Sequence, residues 1–359
     1  MLKDNIKIGI IGCNYWGRNI LRSLIENSGC CSSFYIVGCS DEYYPSNLHI
    51  INQRYPYLNT TLKTSELIES PDVDALVIAT DISMHYDIAK RAILNGKHLL
   101  IDKLIASTSD EAAELVELSH VKQKVLMVAS PLEYAPPGVK IKEIINKRKL
   151  GKIYYITSSR LNLGMYRPDI NVVWDLACHD VSLQIWWLNE LPVCIWASGR
   201  ESAYRGIYDT AFISMEYPSG TLTNIEVSWL SPVKLRQMVI AGSRKMLVFD
   251  DTESTKEKIK IYDKGADLRD PENFDEFQLS YRSGDVVSPK LDIYEPLGKV
   301  VAEFFKCLDN NYKKPMTNGE KGIQVIKILE AIERSLRKNG HIEKIDNILH
   351  LEPNVSLKS

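Results

Sequence analysis

Cysteine pairing is the first thing this sequence lacks. Its seven cysteines, at positions 13, 30, 31, 39, 178, 194 and 307, are odd in number and include no C-x-x-C pair. That usage argues against a disulfide framework or a zinc ribbon and fits the reduced thiols of a cytoplasmic protein. Long apolar runs are lacking too: no stretch reaches the length that spans a bilayer. The start, MLKDNIKIGIIG, holds one strand length of apolar residues, too short for the core of a signal peptide. Nor does one sign of charge dominate. The 44 Lys and Arg residues stand against 46 Asp and Glu, a formal net charge of −2, whereas a nucleic-acid-binding surface needs clustered positive charge. The basic run Lys147 to Lys149 reads as the solvated end of a helix, where cations complement the dipole. The sequence has no internal repeats.

A chain of 359 residues exceeds one ordinary core, so two domains are expected, 1–128 and 129–359. Up to Val128, short β-branched runs alternate with helical spacing. Strands are expected at Ile6–Ile11, Phe34–Cys39, Val73–Ala79, Lys97–Ile101 and Val125–Val128, with a small one at Thr60–Leu62. Helices are expected at Trp16–Glu26, Ser65–Glu69, Met84–Leu94 and Asp110–His120. Such alternation predicts an α/β, doubly wound parallel sheet with right-handed crossovers. After the breaker-rich PLEYAPPG and a helix at Val139–Arg148, long strands take over, two of them joined by a hairpin turn at Pro218, Ser219 and Gly220. One helix interrupts them at Val172–Leu188, and two close the chain at Leu297–Leu308 and Gly322–Lys338. The second half is therefore expected to be α+β, built on an open, mostly antiparallel sheet.

Directly after the first strand comes GCNYWG, from Gly12 to Gly17. A G-x-G-x-x-G turn between a strand and a helix is the Rossmann dinucleotide fingerprint. Gly12 would make the tight turn and Gly17 would let the helix pack on the strand. The middle glycine is replaced by Asn14, a residue that tolerates left-handed backbone. Cys13, Tyr15 and Trp16 complete the turn, whose N–H groups would face the pyrophosphate. The same hexapeptide also serves as a ligand-free turn. Asp41, at the end of the second strand, would accept the ribose hydroxyls and repel a 2′-phosphate, which favours NAD over NADP.

With these motifs in place, the chain resembles the glucose–fructose oxidoreductase / inositol dehydrogenase (Gfo/Idh/MocA) family along nearly its whole length. GCNYWGRN is similar to that family's first turn. DALVIATDISMHYDIAKRAILNGKHLLIDK is similar to the segment that ends in Glu-Lys-Pro. WDLACHD is similar to the substrate-domain helix with an Asp and a His one turn apart. EPLGKVVAEFFKCLDNNYKKPMTNGEKGIQVIKILEAIERSL is similar to the two closing helices. The resemblance implies an active site between the domains. Lys103 then matches the lysine beside the reacting hydroxyl, and Asp175 and His179 match the substrate-binding and proton-transfer pair. Thr80 and His85 fall in the segment that lines the nicotinamide side. Two departures stand out: Glu-Lys-Pro has become Asp102, Lys103, Leu104, and the Gly-His that often follows the last Rossmann strand is Ala129, Ser130.

The chemistry is self-consistent for oxidation of a secondary alcohol. Imidazole titrates near neutrality, so His179 is the candidate base. Asp175, four residues earlier, would orient the imidazole, stabilise its charged form or bind a second hydroxyl. Lys103 would supply positive charge where the oxygen becomes negative. By spacing alone each has a duller reading, a surface contact for the pair and a solvated loop lysine. No third ligand for a metal lies nearby. Arg160, Asn162 and Arg167 lie around the stretch RLNLG, which looks most like family members that oxidise nucleotide-activated amino sugars at the 3-hydroxyl. Arginine suits oxyanions, although both arginines read equally well as solvent-facing charges. The expectation is an NAD-dependent sugar dehydrogenase. Its alternatives are an NAD-retaining enzyme that oxidises transiently, or a catalytically silent binding homologue. The sheet face of the second half must be covered, as relatives do with another subunit, so a homodimer or homotetramer is expected. Neither nucleic acid nor membrane is an expected partner.

Overall fold

The computed structural model describes residues 6–28, 34–42, 44–164, 166, 169–268, 279–309 and 314–345. Six parallel strands form the first sheet: β1 (Ile6–Ile11), β2 (Phe34–Ser40), β3 (Asn59–Thr61), β4 (Ala75–Ile78), β5 (His98–Asp102) and β6 (Leu126–Ala129). Their order is β3-β2-β1-β4-β5-β6, so the order reverses between β1 and β4. That reversal is the switch point where a doubly wound sheet opens a crevice at its carboxyl edge. Five helices connect the strands: α1 (Tyr15–Ser28), α2 (Pro45–Arg54), α3 (Thr64–Glu69), α4 (Ile82–Leu94) and α5 (Ser109–Val121).

Period-two alternation explains the layering. Ile8 and Ile10 of β1, Ala75 and Val77 of β4, and Leu100 of β5 join one apolar cluster. Ile11, Leu76, Ile78, Leu99 and Ile101 join another, on the opposite face. All four β4 side chains are fully buried, as a central parallel strand requires. Helix α2 was not expected from the pattern. It buries only Leu48 and Ile51, too few apolar residues to reveal a helical stripe.

A short helix α6 (Pro131–Tyr134) and α7 (Pro136–Asn146) lead to the second sheet. Its strands are β7 (Ile153–Leu163), β8 (Cys194–Arg200), β9 (Thr210–Glu216), β10 (Leu222–Ser228), β11 (Leu230–Gly242), β12 (Met246–Asp250), β13 (Ile259–Leu268), β14 (Leu279–Val287) and β15 (Glu343–Lys344). The order is β14-β13-β12-β11-β7-β10-β9-β8-β15. Among the described residues its pairings are antiparallel except that of β7 with β10. The hairpin expected at Pro218 to Gly220 joins β9 and β10, with Gly220 at φ +80°.

Three helices fasten the sheets together: α8 (Cys178–Leu188), α9 (Pro296–Asp309) and α10 (Gly319–Arg337). Helix α9 sends Val300, Val301 and Phe304 into the cluster that α1 and β1 build. Helix α10 shares the other cluster with α5 and with the inner face of β8, β9 and β10. The Glu330 carboxylate of α10 also accepts the Ser109 N–H and hydroxyl at the start of α5, both at 2.8 Å. One apolar cluster thus runs from the first sheet to the second, which holds the cleft between them in place. Among the described residues no helix is long and apolar enough to cross a membrane.

Candidate active site

The cofactor end is built from backbone. Gly12 has φ +89°, and a Cβ there would stand 2.5 Å from the Ala79 carbonyl oxygen. A Cβ on Gly17 would stand 2.1 Å from the Gly12 carbonyl oxygen. Both glycines are therefore demanded by close approach of backbone to backbone. Asn14 does something other than the expected left-handed turn. Its Oδ1 accepts the Gly17 N–H at 2.9 Å, so it caps α1, and its φ is not positive. The N–H groups of Tyr15 and Trp16, in the first helical turn, have no intrahelical acceptor. No acidic residue lies in that turn, so the dipole's positive end faces the crevice. The Tyr15 and Trp16 rings are exposed and meet edge to face at the same edge.

Asp41 is buried and receives three donors: the Cys13 N–H at 2.9 Å, the Tyr44 N–H at 2.9 Å and the Asn47 side-chain amide at 3.0 Å. A carboxylate offers about four acceptor sites, and three donors here make Asp41 the tie between the glycine turn and α2. Thr80, which follows β4, lies at the crevice edge. His85 needs correction. Its ring is 1% exposed, with Nδ1 2.6 Å from the Leu104 carbonyl and Nε2 3.0 Å from the Thr80 carbonyl. It cannot line the nicotinamide side. Instead it fastens the lysine loop to the loop after β4.

The other end is built from side chains. The Lys103–Leu104 peptide bond is cis. The Lys103 ammonium donates to the Asp175 backbone carbonyl at 2.6 Å and to His179 Nε2 at 3.0 Å, and lies 3.6 Å from the Asp175 carboxylate. An ammonium has only donors, so Nε2 presents its lone pair. Burial foremost, then the charges of Lys103, Arg160 and Arg236, hold the His179 ring well below its ordinary range. It is neutral at physiological pH, as a base must be. Asp175 sits in a π-helical turn, Val173–Ala177, that leads into α8. Its carboxylate does not orient the imidazole: Oδ2 accepts the Trp229 indole N–H at 3.1 Å, and the lysine stands between the two.

Trp229 was not singled out in the sequence. It continues the inward alternation of Ile225 and Val227 on β10, which reads as core alone. Its ring meets Tyr166 edge to face with centroids 5.2 Å apart. The Asn162 amide lies by Gly164, whose other close neighbour is the Trp229 ring. Arg160 is a second correction. It is buried against Asp180 in a two-pronged pair, Nε to Oδ2 at 3.0 Å and Nη2 to Oδ1 at 2.7 Å. With its donors facing a buried carboxylate, Arg160 fixes α8 to β7 and is closed to substrate. Arg167 lies outside the described residues.

Comparison with known proteins agrees with this layout. A family model described as "Oxidoreductase family, NAD-binding Rossmann fold" matches residues 6–130, and one described as "GFO/IDH/MocA C-terminal domain" matches residues 139–248. An uncharacterized oxidoreductase of Escherichia coli, YdgJ, is 24% identical over 75% of this chain and 80% of its own. The UDP-N-acetylglucosamine 3-dehydrogenase of Acidithiobacillus ferrooxidans is 27% identical over 54% of this chain and 60% of its own. The structure of that dehydrogenase superposes with a TM-score of 0.75 at 20% identity, covering 93% of this chain and 98% of the other. The WlbA dehydrogenase of Bordetella pertussis, solved with NADH and UDP-GlcNAcA, superposes with a TM-score of 0.75 at 19% identity, covering 95% and 99%. The chain belongs to the Gfo/Idh/MocA oxidoreductases, and its first domain is an NAD-binding Rossmann domain.

Proposed function

We propose that this oxidoreductase removes hydride from a secondary hydroxyl-bearing carbon of a sugar, most specifically the 3-position of a UDP-linked N-acetylhexosamine. One observation carries the reading: a lysine ammonium and a neutral imidazole meet within 3.0 Å at the carboxyl edge of an NAD-binding sheet. The nicotinamide, when bound, accepts the hydride. Gly12, Gly17 and the free N–H groups of Tyr15 and Trp16 fit the pyrophosphate, and the remaining acceptor site of Asp41 fits a ribose hydroxyl. Lys103 holds the substrate oxygen and stabilises its negative charge as the proton leaves. His179 Nε2 takes that proton. Asp175, braced by Trp229, keeps the ammonium in place and offers an acceptor to a neighbouring hydroxyl. Asn162 stands beside this pocket as a contact for the rest of the sugar.

The superpositions with a UDP-N-acetylglucosamine dehydrogenase and with a complex of UDP-GlcNAcA support the nucleotide-sugar class. The exposed Tyr155, Phe212 and Leu222 on the outer face of the second sheet support a homo-oligomer. The test is absorbance of reduced cofactor on mixing the protein with NAD and a panel of nucleotide sugars. A rise with a UDP-N-acetylhexosamine is expected. Silence across the panel overturns this substrate, and sugar conversion without net reduction favours an enzyme that retains its cofactor.

A further inference from the structure

Oxidation of an alcohol releases a proton as well as a hydride, and His179 is half-buried, with its ring set back against the protein interior. Behind it lies a cavity of about 30 Å³ lined by Lys103, His179, Ser182, Glu133, Asn318 and Lys321. That volume holds about two waters. Along the π-turn and α8 the order is Asp175, His179, Ser182, so the cavity extends away from Trp229 and the sugar pocket. At its far wall stands Glu133 of α6, 2% exposed. Its Oε1 accepts the Ser182 hydroxyl at 2.5 Å. Its Oε2 is buried with no partner. A buried carboxylate oxygen left unpaired is costly, and here it faces a water-sized space whose largely apolar walls, Leu104, Ile105, Val128 and Val325 among them, leave the polar groups of Lys103, His179, Ser182, Asn318 and Lys321 as its partners. Glu133, Ser182, Asn318 and Lys321 also line a surface groove of about 1000 Å³ between α5, α8 and α10. The same four residues thus separate the chamber behind His179 from solvent.

We propose that Glu133 is the proton outlet of this active site. The substrate O–H bond breaks and its proton bonds to His179 Nε2; bound NAD would supply the acceptor for the hydride that the carbon gives up. Cavity water then takes that proton back from Nε2, beside Lys103 on the cavity wall, and passes it to the Glu133 carboxylate, so the ring returns to the neutral tautomer it began in. Glu133 releases it past Lys321 into the groove, and reduction runs the same steps backwards. One proton enters the relay and one leaves it per turnover. Glu133 acts through His179 and touches no substrate. The groups facing it are Ser130, Ser182 of α8, Glu303 of α9 and Lys321 of α10. Burial pushes its carboxyl up from the ordinary carboxylate range, and burial pushes the Lys321 ammonium down. Both shifts bring these groups nearer to neutral pH, where a relay must exchange protons.

This relay rests on the proposed role of His179, and its test separates the two. In the full-length enzyme with NAD and sugar, Glu133→Gln keeps shape and hydrogen bonding but cannot take a proton. It should lower kcat about tenfold, with KM for the sugar within about twofold of the parent. In Glu133→Ala, added imidazole buffer should restore kcat in proportion to its concentration, a response that a purely structural role does not give. Unchanged kcat and solvent isotope effect in Glu133→Gln, or no buffer rescue in Glu133→Ala, overturns the relay and leaves the dehydrogenase standing. A substrate-free measurement decides the relay even where no sugar is turned over. The infrared band of protonated Glu133, identified by its loss in Glu133→Gln, should titrate at a different pH in His179→Ala. A band that ignores His179 overturns the proposal.

Discussion

The two ends of the cleft are made of different material. The cofactor end is backbone: two glycines, a capped helix start and a carboxylate that clasps the turn, nearly all within the first strand–helix–strand unit. The substrate end is side chain: Lys103 from the loop after β5, Asp175 and His179 from the π-turn and α8, and Trp229 from the end of β10. A backbone site tolerates replacement of most side chains within it. A side-chain site does not, and it also depends on buried struts such as Arg160 and His85, whose hydrogen bonds go to other parts of the protein.

That contrast can be broken most sharply at His179. His179→Ala should lower kcat by roughly 10²–10⁴-fold, the usual worth of a positioned base, with little change in NAD affinity. Steady-state formation of reduced cofactor and cofactor titration check both halves. A loss under tenfold removes His179 from the chemistry.

Arg160 comes next. Arg160→Met leaves Asp180 buried and unpaired, which should cost about 3–5 kcal/mol of stability in urea unfolding. KM for the sugar should then move little in the folded fraction. A large rise in KM at unchanged stability would restore Arg160 to the substrate pocket.

The third is pH dependence. The folded pKa of His179 lies below its unfolded value, so the unfolded chain takes up the proton first. This group therefore costs no stability above pH 6.5 or so, and stability falls as the pH drops below that value. For the same reason the acid limb of kcat/KM should lie below the ordinary histidine range. A limb near or above pH 7 would contradict the burial of the ring. Titration of the ring by NMR locates it independently.

The smallest effect belongs to Asn14. As a helix cap, Asn14→Ala should cost about 1 kcal/mol and Asn14→Gly only a few tenths. On the proposal that backbone N–H groups meet the phosphates, NAD affinity should change by less than about threefold in Asn14→Gly. A much larger loss would mean that the Asn14 side chain itself touches the cofactor.

The contrast also explains what was legible beforehand. Each strand of the first sheet was readable because local alternation and continuous apolar runs record burial on one or both faces. Gly12, Gly17 and Asp41 were readable because their job depends on neighbours a few residues away or one strand over. Lys103, Asp175 and His179 were reached through family resemblance, since residues 72 to 76 positions apart leave no local trace of meeting. Trp229 and Glu133 were not found. The first looks like one more core residue on an alternating strand, and the second is an ordinary glutamate in a helix of four residues. Arg160 and His85 were placed wrongly for the same reason: nothing in the flanking sequence tells a buried strut from a ligand contact.

By itself the sequence determined the parallel sheet, its glycine turn and the α+β character of the second half, because backbone sterics and hydrophobic period act over short range. Tertiary structure alone decided which polar side chains face the cleft and which are spent holding it. That choice depends on burial and pairing across distant segments, where a carboxylate such as Asp180 claims Arg160 before any substrate arrives.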